Sequence, residues 1–267
     1  MFKRMLFALL MLAVRPPAFS QQLDFTATLD SIRIQARPGQ IVNRRFSLTL
    51  SAQAKRTQFR SSVSDWWQSE DGYQSFYAES GTLARSCGEW VALNPVEAAV
   101  GPSETLDIRV SVAVPANAEP GGFWCALTVD QLPDPTQPPD GDVVEIRFLA
   151  SVSTGIFIYI DPVKREGRIT NVEILAEESK VTVLNEGNIP LGVEGRFEFV
   201  RPGEEKPAAV VLIPRRTVLP EPVRTAILSA KLPDATALPS GTYLVKAILD
   251  IGLEHYIGVQ RRLEVQR

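Results

Sequence analysis

Two cysteines, one histidine and a few paired carboxylates are the residues with which this chain of 267 residues could do chemistry. Cys87 lies in ARSCGEWVALNP (84–95) and Cys125 in PGGFWCALTVD (120–130). A cysteine nucleophile needs a base beside it. The single histidine, His255, is far away near the C-terminus. A zinc site needs about four Cys, His or carboxylate ligands at close spacing, and the chain does not supply them. The acidic pairs Glu70–Asp71, Glu177–Glu178 and Glu204–Glu205 superficially match the two carboxylates of a glycosidase. Adjacent acids in turns read more simply as solvated turn residues. Asp134, Asp140 and Asp142 share one loop, but prolines intervene and the alternating register of a calcium loop is missing. There is no Gly-x-Ser-x-Gly elbow, phosphate loop or His-Glu-x-x-His. These observations point to a non-enzymatic protein with no catalytic residue, no cofactor and no metal.

The N-terminus decides how the two cysteines behave. It reads MFKRMLFALLMLAVRPPAFSQQ, with Lys3 and Arg4 ahead of the apolar run 5–14 and small residues at Ala18 and Ser20. That is the pattern of a secretory signal peptide, here residues 1–20. The run is shorter than the about 20 apolar residues a membrane-spanning helix needs, and Pro16 and Pro17 stop a helix from continuing. No later run is long enough to span, so no transmembrane anchor is expected in the mature chain. The expected location is periplasmic or extracellular. In that oxidising space an even pair of cysteines is expected as a Cys87–Cys125 disulfide.

The net charge of −3 and the interspersed Lys and Arg exclude the basic face of a nucleic-acid binder. What remains is organisation. Alternating stretches such as FTATLDSIRIQA (25–36), NRRFSLTLSA (43–52), ETLDIRVSVAV (104–114) and GFWCALTVDQL (122–132) carry a period of two. Ile108, Val110, Val112 and Val114 share one face and Asp107, Arg109 and Ser111 the other. This describes half-buried strands, separated by Pro- and Gly-rich turns. The same grammar restarts in SKVTVLNEGNIP, GVEGRFEFV, VRTAILSAKLP, SGTYLVKAILDIG and YIGVQRRLEVQ. An all-β chain of two tandem immunoglobulin-like β-sandwich domains is expected, at 21–162 and 163–267. Asn185 and Asn188 are read as turn residues that tolerate left-handed dihedrals.

Two segments interrupt the strands. PDPTQPPDGD (133–142) reads as a solvated excursion. SDWWQSEDGYQSFYAESGTLARSCGEW (64–90) reads as a long loop that concentrates Trp66, Trp67, Tyr73, Phe76, Tyr77 and Trp90. Trp66, Trp67, Tyr73 and Tyr77 are candidate partner contacts, because Trp and Tyr dominate interface energetics; packing at the end of a core is the other reading. Adjacent residues of a strand face opposite sides, so Trp66 and Trp67 cannot enter one core together. Ile156, Ile158 and Ile160 lie in VVEIRFLASVSTGIFIYIDP (143–162), apolar on both faces between Ile156 and Ile160. Such a strand is buried on both sides or offered to a partner.

The order S-C-G-E-W-V-A-L-N-P, then G-P-S-E-T and V-A-V-P, then P-G-G-F-W, resembles secreted bacterial immunoglobulin-like proteins, and in particular the WxL-interacting surface proteins. The second half, with V-L-N-E-G-N, L-P-S-G-T-Y and D-I-G, fits the paired sandwich of that group. The group carries a C-terminal membrane helix, whereas this sequence ends LEVQR. A second resemblance is to periplasmic pilus chaperones, also two such domains on an exported chain. That resemblance implies donation of the last strand of the first domain, here 143–162, to an unfinished partner sandwich. It also implies a cleft Arg and Lys that anchor the partner's terminal carboxylate, for which Arg33 and Lys164 are the candidates. The expected function is an exported cell-envelope protein that binds another exported protein in a surface or adhesion assembly. The alternative is a pilus-type chaperone acting by strand donation.

Overall fold

The structure, a computed structural model, describes residues 25–27, 30–77, 79–133, 149–174, 178–231 and 238–265. The expected signal peptide, nearly all of loop 133–142 with its three aspartates, Glu177 and the stretch 143–148 lie outside the described residues.

Alternation along the strands builds two sandwiches. In the first, one sheet has the order β1 (Phe25–Ala27), β3 (Ile41–Leu50), β8 (Thr105–Ala113), β6 (Val91–Asn94). The facing sheet has the order β2 (Ile32–Ala36), β10 (Ser151–Ile160), β9 (Gly121–Gln131), β4 (Thr57–Gln68), β5 (Gln74–Tyr77), with β7 (Glu97–Val100) against β4. Phe46, Leu48, Ile108, Val110 and Val112 from one sheet meet Leu127, Val129, Ile156 and Ile158 from the other, all essentially inaccessible. The second sandwich pairs β11 (Gly167–Ile174), β12 (Glu178–Asn185) and β15 (Thr225–Lys231) with β14 (Ala209–Val218), β13 (Leu191–Val200), β16 (Gly241–Asp250) and β17 (Ile257–Val265). Its core holds Val181, Val183, Phe197, Phe199, Tyr243 and Leu249. Tyr243 is fully buried, and its hydroxyl donates to Pro239 O at 2.9 Å, which removes the cost of an unpaired buried phenol.

Three expectations change. The stretch 25–36 is not one strand: β1 pairs with β3 antiparallel, and β2 crosses to the opposite sheet and pairs with β10 parallel. One chain segment thus closes both sheets along the same side of the sandwich. The stretch 64–90 is not simply a loop. Trp66 and Trp67 end β4, which turns back through β5 as a hairpin. Alternation then separates them: Trp66 is buried and Trp67 half-buried. Asn185 and Asn188 are not left-handed turn residues, since Ser103 is the only non-glycine with positive φ among the described residues. Asn185 is buried, and its side-chain amide donates to Ile189 O and Val218 O, each at 2.9 Å, while Oδ1 accepts from Gly187 N. The side chain, not the backbone angle, fixes that turn.

The expected disulfide is formed: Cys87 and Cys125 are bonded, with Cα atoms 5.3 Å apart. Both are fully buried in the first core. The bond lies against a short parallel bridge, Ser86 to Trp124, where Trp124 N donates to Arg85 O at 2.9 Å. Buried Asp65 holds the same segment, accepting from Leu83 N at 2.8 Å and from the Ser86 hydroxyl.

Candidate functional site

Strand β9 is buried on both faces from Gly121 to Leu127. Its inward side chains meet the first core. Its outward ones, Trp124 and Ala126, form a separate apolar cluster with Trp66, Phe157 and Leu219. Leu219 comes from the second sandwich, just past β14. The outer face of the β2–β10–β9–β4–β5 sheet is therefore an inter-domain face, and Trp66 packs edge-on to Phe157 with ring centroids 6.1 Å apart. This explains a strand apolar on both sides without an external partner: Phe157 and Tyr159 face the second sandwich, while Ile156, Ile158 and Ile160 face the core.

Two polar joints fix the arrangement. The tip of the β4–β5 hairpin reaches the second sandwich, where Ile227 N donates to Glu70 O at 2.8 Å, Arg216 Nη1 donates to Asp71 O at 3.0 Å and the Thr225 hydroxyl donates to the Glu70 carboxylate. The pair Glu70–Asp71 is thus a joint between sandwiches. The connecting segment 161–166 is tied by Asn188, whose Oδ1 accepts from Lys164 N at 2.6 Å and whose Nδ2 donates to Pro162 O at 3.2 Å. Asn188 O in turn accepts from Gly122 N at 2.8 Å. Gly187 permits this approach, since a Cβ there would lie 2.2 Å from Lys164 O.

Between these joints opens a cavity of about 330 Å³ lined by Arg33, Tyr159, Arg165, Glu194, Arg215 and Asp250, among others. This is within the usual range for ligand sites, from about 300 Å³ upward. Arg33 stands on β2 opposite Phe157 of β10. Arg215 is turned toward Glu194 at 3.3 Å, Arg165 Nη1 donates to Gly252 O at 3.0 Å, and Asp250 Oδ1 accepts from Gly252 N at 2.7 Å. Arg33 makes no ion pair among the described residues. Three guanidinium groups face two carboxylates, so the cavity carries a positive excess suited to an anion. Burial pushes the Tyr159 phenol above its ordinary pKa, and the nearby guanidinium of Arg33, with Arg165 and Arg215, pulls it partly back.

The candidate residues fall in different places. Arg33 lines this cavity, but Lys164 does not: it pairs with Glu166 at 2.6 Å on the surface, and both are about half exposed. Its neighbour Arg165 turns into the cavity instead. Ile156, Ile158 and Ile160 are 0–1 % exposed and are hydrogen-bonded into the sheet between β9 and β2, so they have no free edge to offer. The free edge lies upstream. Residues 151–155 of β10 pair with β9 on one side; on the other, no strand pairs with them among the described residues, and only the Thr154 hydroxyl reaches across, to Asp30 O at 3.1 Å. Val152 faces the core there. Of the aromatic candidates, Trp66 is interior, Trp67 half-buried, Tyr73 77 % exposed and Tyr77 36 % exposed. Sequence reading missed Tyr159, Arg165, Arg215 and Phe76 as site residues. For Arg165 the basic linker VKREG was the available signal; Arg215 had none, because the cavity is assembled from both sandwiches. Among the described residues no cluster of three or more His, Cys, Asp or Glu could hold a metal, and no helix is long and apolar enough to cross a membrane.

No family model matches the chain, and no curated protein matches it. Solved structures do. The YadV chaperone has a TM-score of 0.47 at 12% identity, over 90% of this chain and 100% of that one. The class 5 fimbriae chaperone CfaA has a TM-score of 0.45 at 10% identity, over 91% and 100%. A complex of the Salmonella enterica SafA pilin with the SafB chaperone has a TM-score of 0.45 at 13% identity, over 88% and 96%. Each of the three is, or contains, a chaperone, and none is a WxL-interacting surface protein.

Proposed function

We propose that this chain is an exported, non-enzymatic binding protein of the chaperone type. It holds an extended segment of another exported protein along the open edge of β10 and takes that segment's terminal carboxylate in the inter-domain cavity. The observation that carries the reading is the continuity of these two features. The edge at 151–155, which no strand pairs among the described residues, runs directly into the stretch where β2 takes over pairing and brings in Arg33. A strand added upstream of β2, parallel to β10 as β2 is, ends at the cationic cavity. Main-chain hydrogen bonds give such a complex its affinity, and the Arg33 guanidinium, which has no carboxylate partner among the described residues, sets direction by binding the chain end. Donation is thus assigned to 151–155 rather than to 156–160. The partner is proposed to be a β-rich exported subunit, in the sense in which the SafA pilin is partner to the SafB chaperone. A role as a structural part of a surface assembly is the weaker reading, because it gives the cavity no occupant.

A photo-crosslinking residue in place of Ser153, and another in place of Arg261 on β17 as control, tests this in cells that export the chain. The expected result is a one-to-one crosslink to an exported β-rich protein at 153 only, lost on Arg33→Glu. Equal crosslinks at both positions, or none at 153, would contradict the reading.

A further inference from the structure

The outer face of the β1–β3–β8–β6 sheet is turned away from the second sandwich, which packs on the opposite sheet beside Trp124 and Phe157. Alternation brings Asn43 and Arg45 of β3, Asp107, Arg109 and Ser111 of β8 and Asn94 of β6 to that outer face. Arg45 lies directly opposite Arg109, and Arg109 lies opposite Asn94 on its other side. Arg44 joins Asn43, Arg45, Asn94, Asp107 and Arg109 around an open cavity of about 540 Å³. We infer that this cavity binds a phosphate group, free or carried on a lipid headgroup. The inference is independent of the function proposed above.

Charge carries it first. Three guanidinium groups, those of Arg44, Arg45 and Arg109, face one carboxylate, that of Asp107. The resulting excess of two positive charges stands on a chain whose net charge is −3, so the field is local to this face. A phosphate group carries about two negative charges at neutral pH. Asp107 is already shared: it pairs with Arg45 at 3.4 Å and accepts from the Ser47 hydroxyl at 2.6 Å. Arg109 makes no ion pair among the described residues. Like charges directly opposite one another in a sheet are destabilising, and an anion bridging Arg45 and Arg109 turns that repulsion into two attractions. The donor set comes second. The planar fork of arginine matches phosphate oxygens in pairs. Arg44 Nη1 donates to Asn43 O at 3.0 Å, which ties that guanidinium to β3. Asn43 Oδ1 accepts from the Ser111 hydroxyl at 2.6 Å, which leaves its amide N–H groups to face a ligand. The lining is polar throughout, as an oxyanion requires and an apolar ligand does not.

The test measures binding of inorganic phosphate to the whole chain by isothermal titration at fixed ionic strength, and flotation of the chain with phosphatidylglycerol vesicles against phosphatidylcholine vesicles. In Arg45→Gln/Arg109→Gln, binding is expected to weaken about tenfold or more, the order of effect of losing charge-assisted hydrogen bonds. That variant should melt no lower than the unaltered chain, because it removes a cross-strand repulsion and only an exposed ion pair. In Asp107→Asn, binding is expected to tighten about threefold as the competing carboxylate is lost, a gain that a misfolded variant would not show. Arg261→Gln/Arg262→Gln on β17 is expected to leave binding unchanged. Phosphate bound in solution without flotation makes the free ion the ligand. Flotation with phosphatidylglycerol alone, lost in Arg45→Gln/Arg109→Gln, makes the headgroup the ligand. Binding of neither, binding that survives Arg45→Gln/Arg109→Gln, an equal loss in Arg261→Gln/Arg262→Gln, or weaker binding in Asp107→Asn would overturn the site.

Discussion

Removing the disulfide should destabilise the first sandwich far more than the second. Cys87 and Cys125 are 38 residues apart. In the chain-entropy model, a loop of that length loses about 13 cal/mol/K in the unfolded state, or about 4 kcal/mol at 25 °C. The bond also anchors the segment around Ser86 to β9, where the main-chain contacts of Arg85 and Cys87 with Trp124 would remain. For a domain the size of 25–160, a change of 1 kcal/mol moves the midpoint by roughly 3–5 °C, so the double variant Cys87→Ala/Cys125→Ala should melt roughly 12–20 °C lower in its first transition. Alanine is the right replacement, because both positions are fully buried and serine would add an unpaired hydroxyl. Scanning calorimetry of the oxidised protein against the variant measures this, with thiol-reduced protein as a second route to the same state. A first transition displaced by less than about 2 °C would refute the reasoning, because the loop would then already be held in the unfolded chain or the bond would not constrain it.

Other perturbations separate core from cleft. Ile158→Asp should abolish folding of the first sandwich, because an unpaired carboxylate at a position with no exposure costs several kcal/mol; a folded variant with weakened partner binding would return 156–160 to the status of a donor segment. Leu219→Ala removes the second sandwich's side chain from the Trp66–Trp124–Phe157 cluster and should cost about 2–5 kcal/mol, with increased proteolysis at 161–166; an unchanged cleavage rate would contradict a rigid joint. Tyr159 has a raised pKa in the fold, so its contribution is present below its unfolded value of about 10 and is lost as pH rises through the folded value. The unaltered chain should therefore lose stability above pH 10 more steeply than Tyr159→Phe, and parallel pH curves would refute this.

How much of this was legible in the sequence depends on where each residue's partners lie. The alternation in β8 was readable because one face meets core and the other water, and Ile108, Val110 and Val112 are accordingly buried. The cysteine pair was readable from compartment and count. The opposed fates of Trp66 and Trp67 followed from strand geometry. Strand β14 was hidden because it is an edge whose outward residues, Val210 and Leu212, are apolar and exposed, which erases the period. Asn185 looked like a turn residue because its carbonyl partners, Ile189 and Val218, include one 33 residues away. The cavity was the least legible feature. Arg33, Arg165 and Arg215 come from β2, the connector and β14, and no local pattern relates them. Glu70 and Asp71 looked like ordinary turn acids because the groups they meet, near 216 and 225–227, lie in the other sandwich. A strand apolar on both faces was read as buried on both sides or offered to a partner, and the second sandwich placed against Phe157 decides for burial at 156–160.

The most direct test of the central claim is amide hydrogen exchange of the full chain, free and bound to the exported subunit captured at Ser153. Strand addition predicts new protection of the amides in 151–155 that point away from β9, together with slowed exchange around Arg33, and no change along β17. Protection confined to β14 or β17, or an unchanged 151–155 segment in a saturated complex, would contradict it.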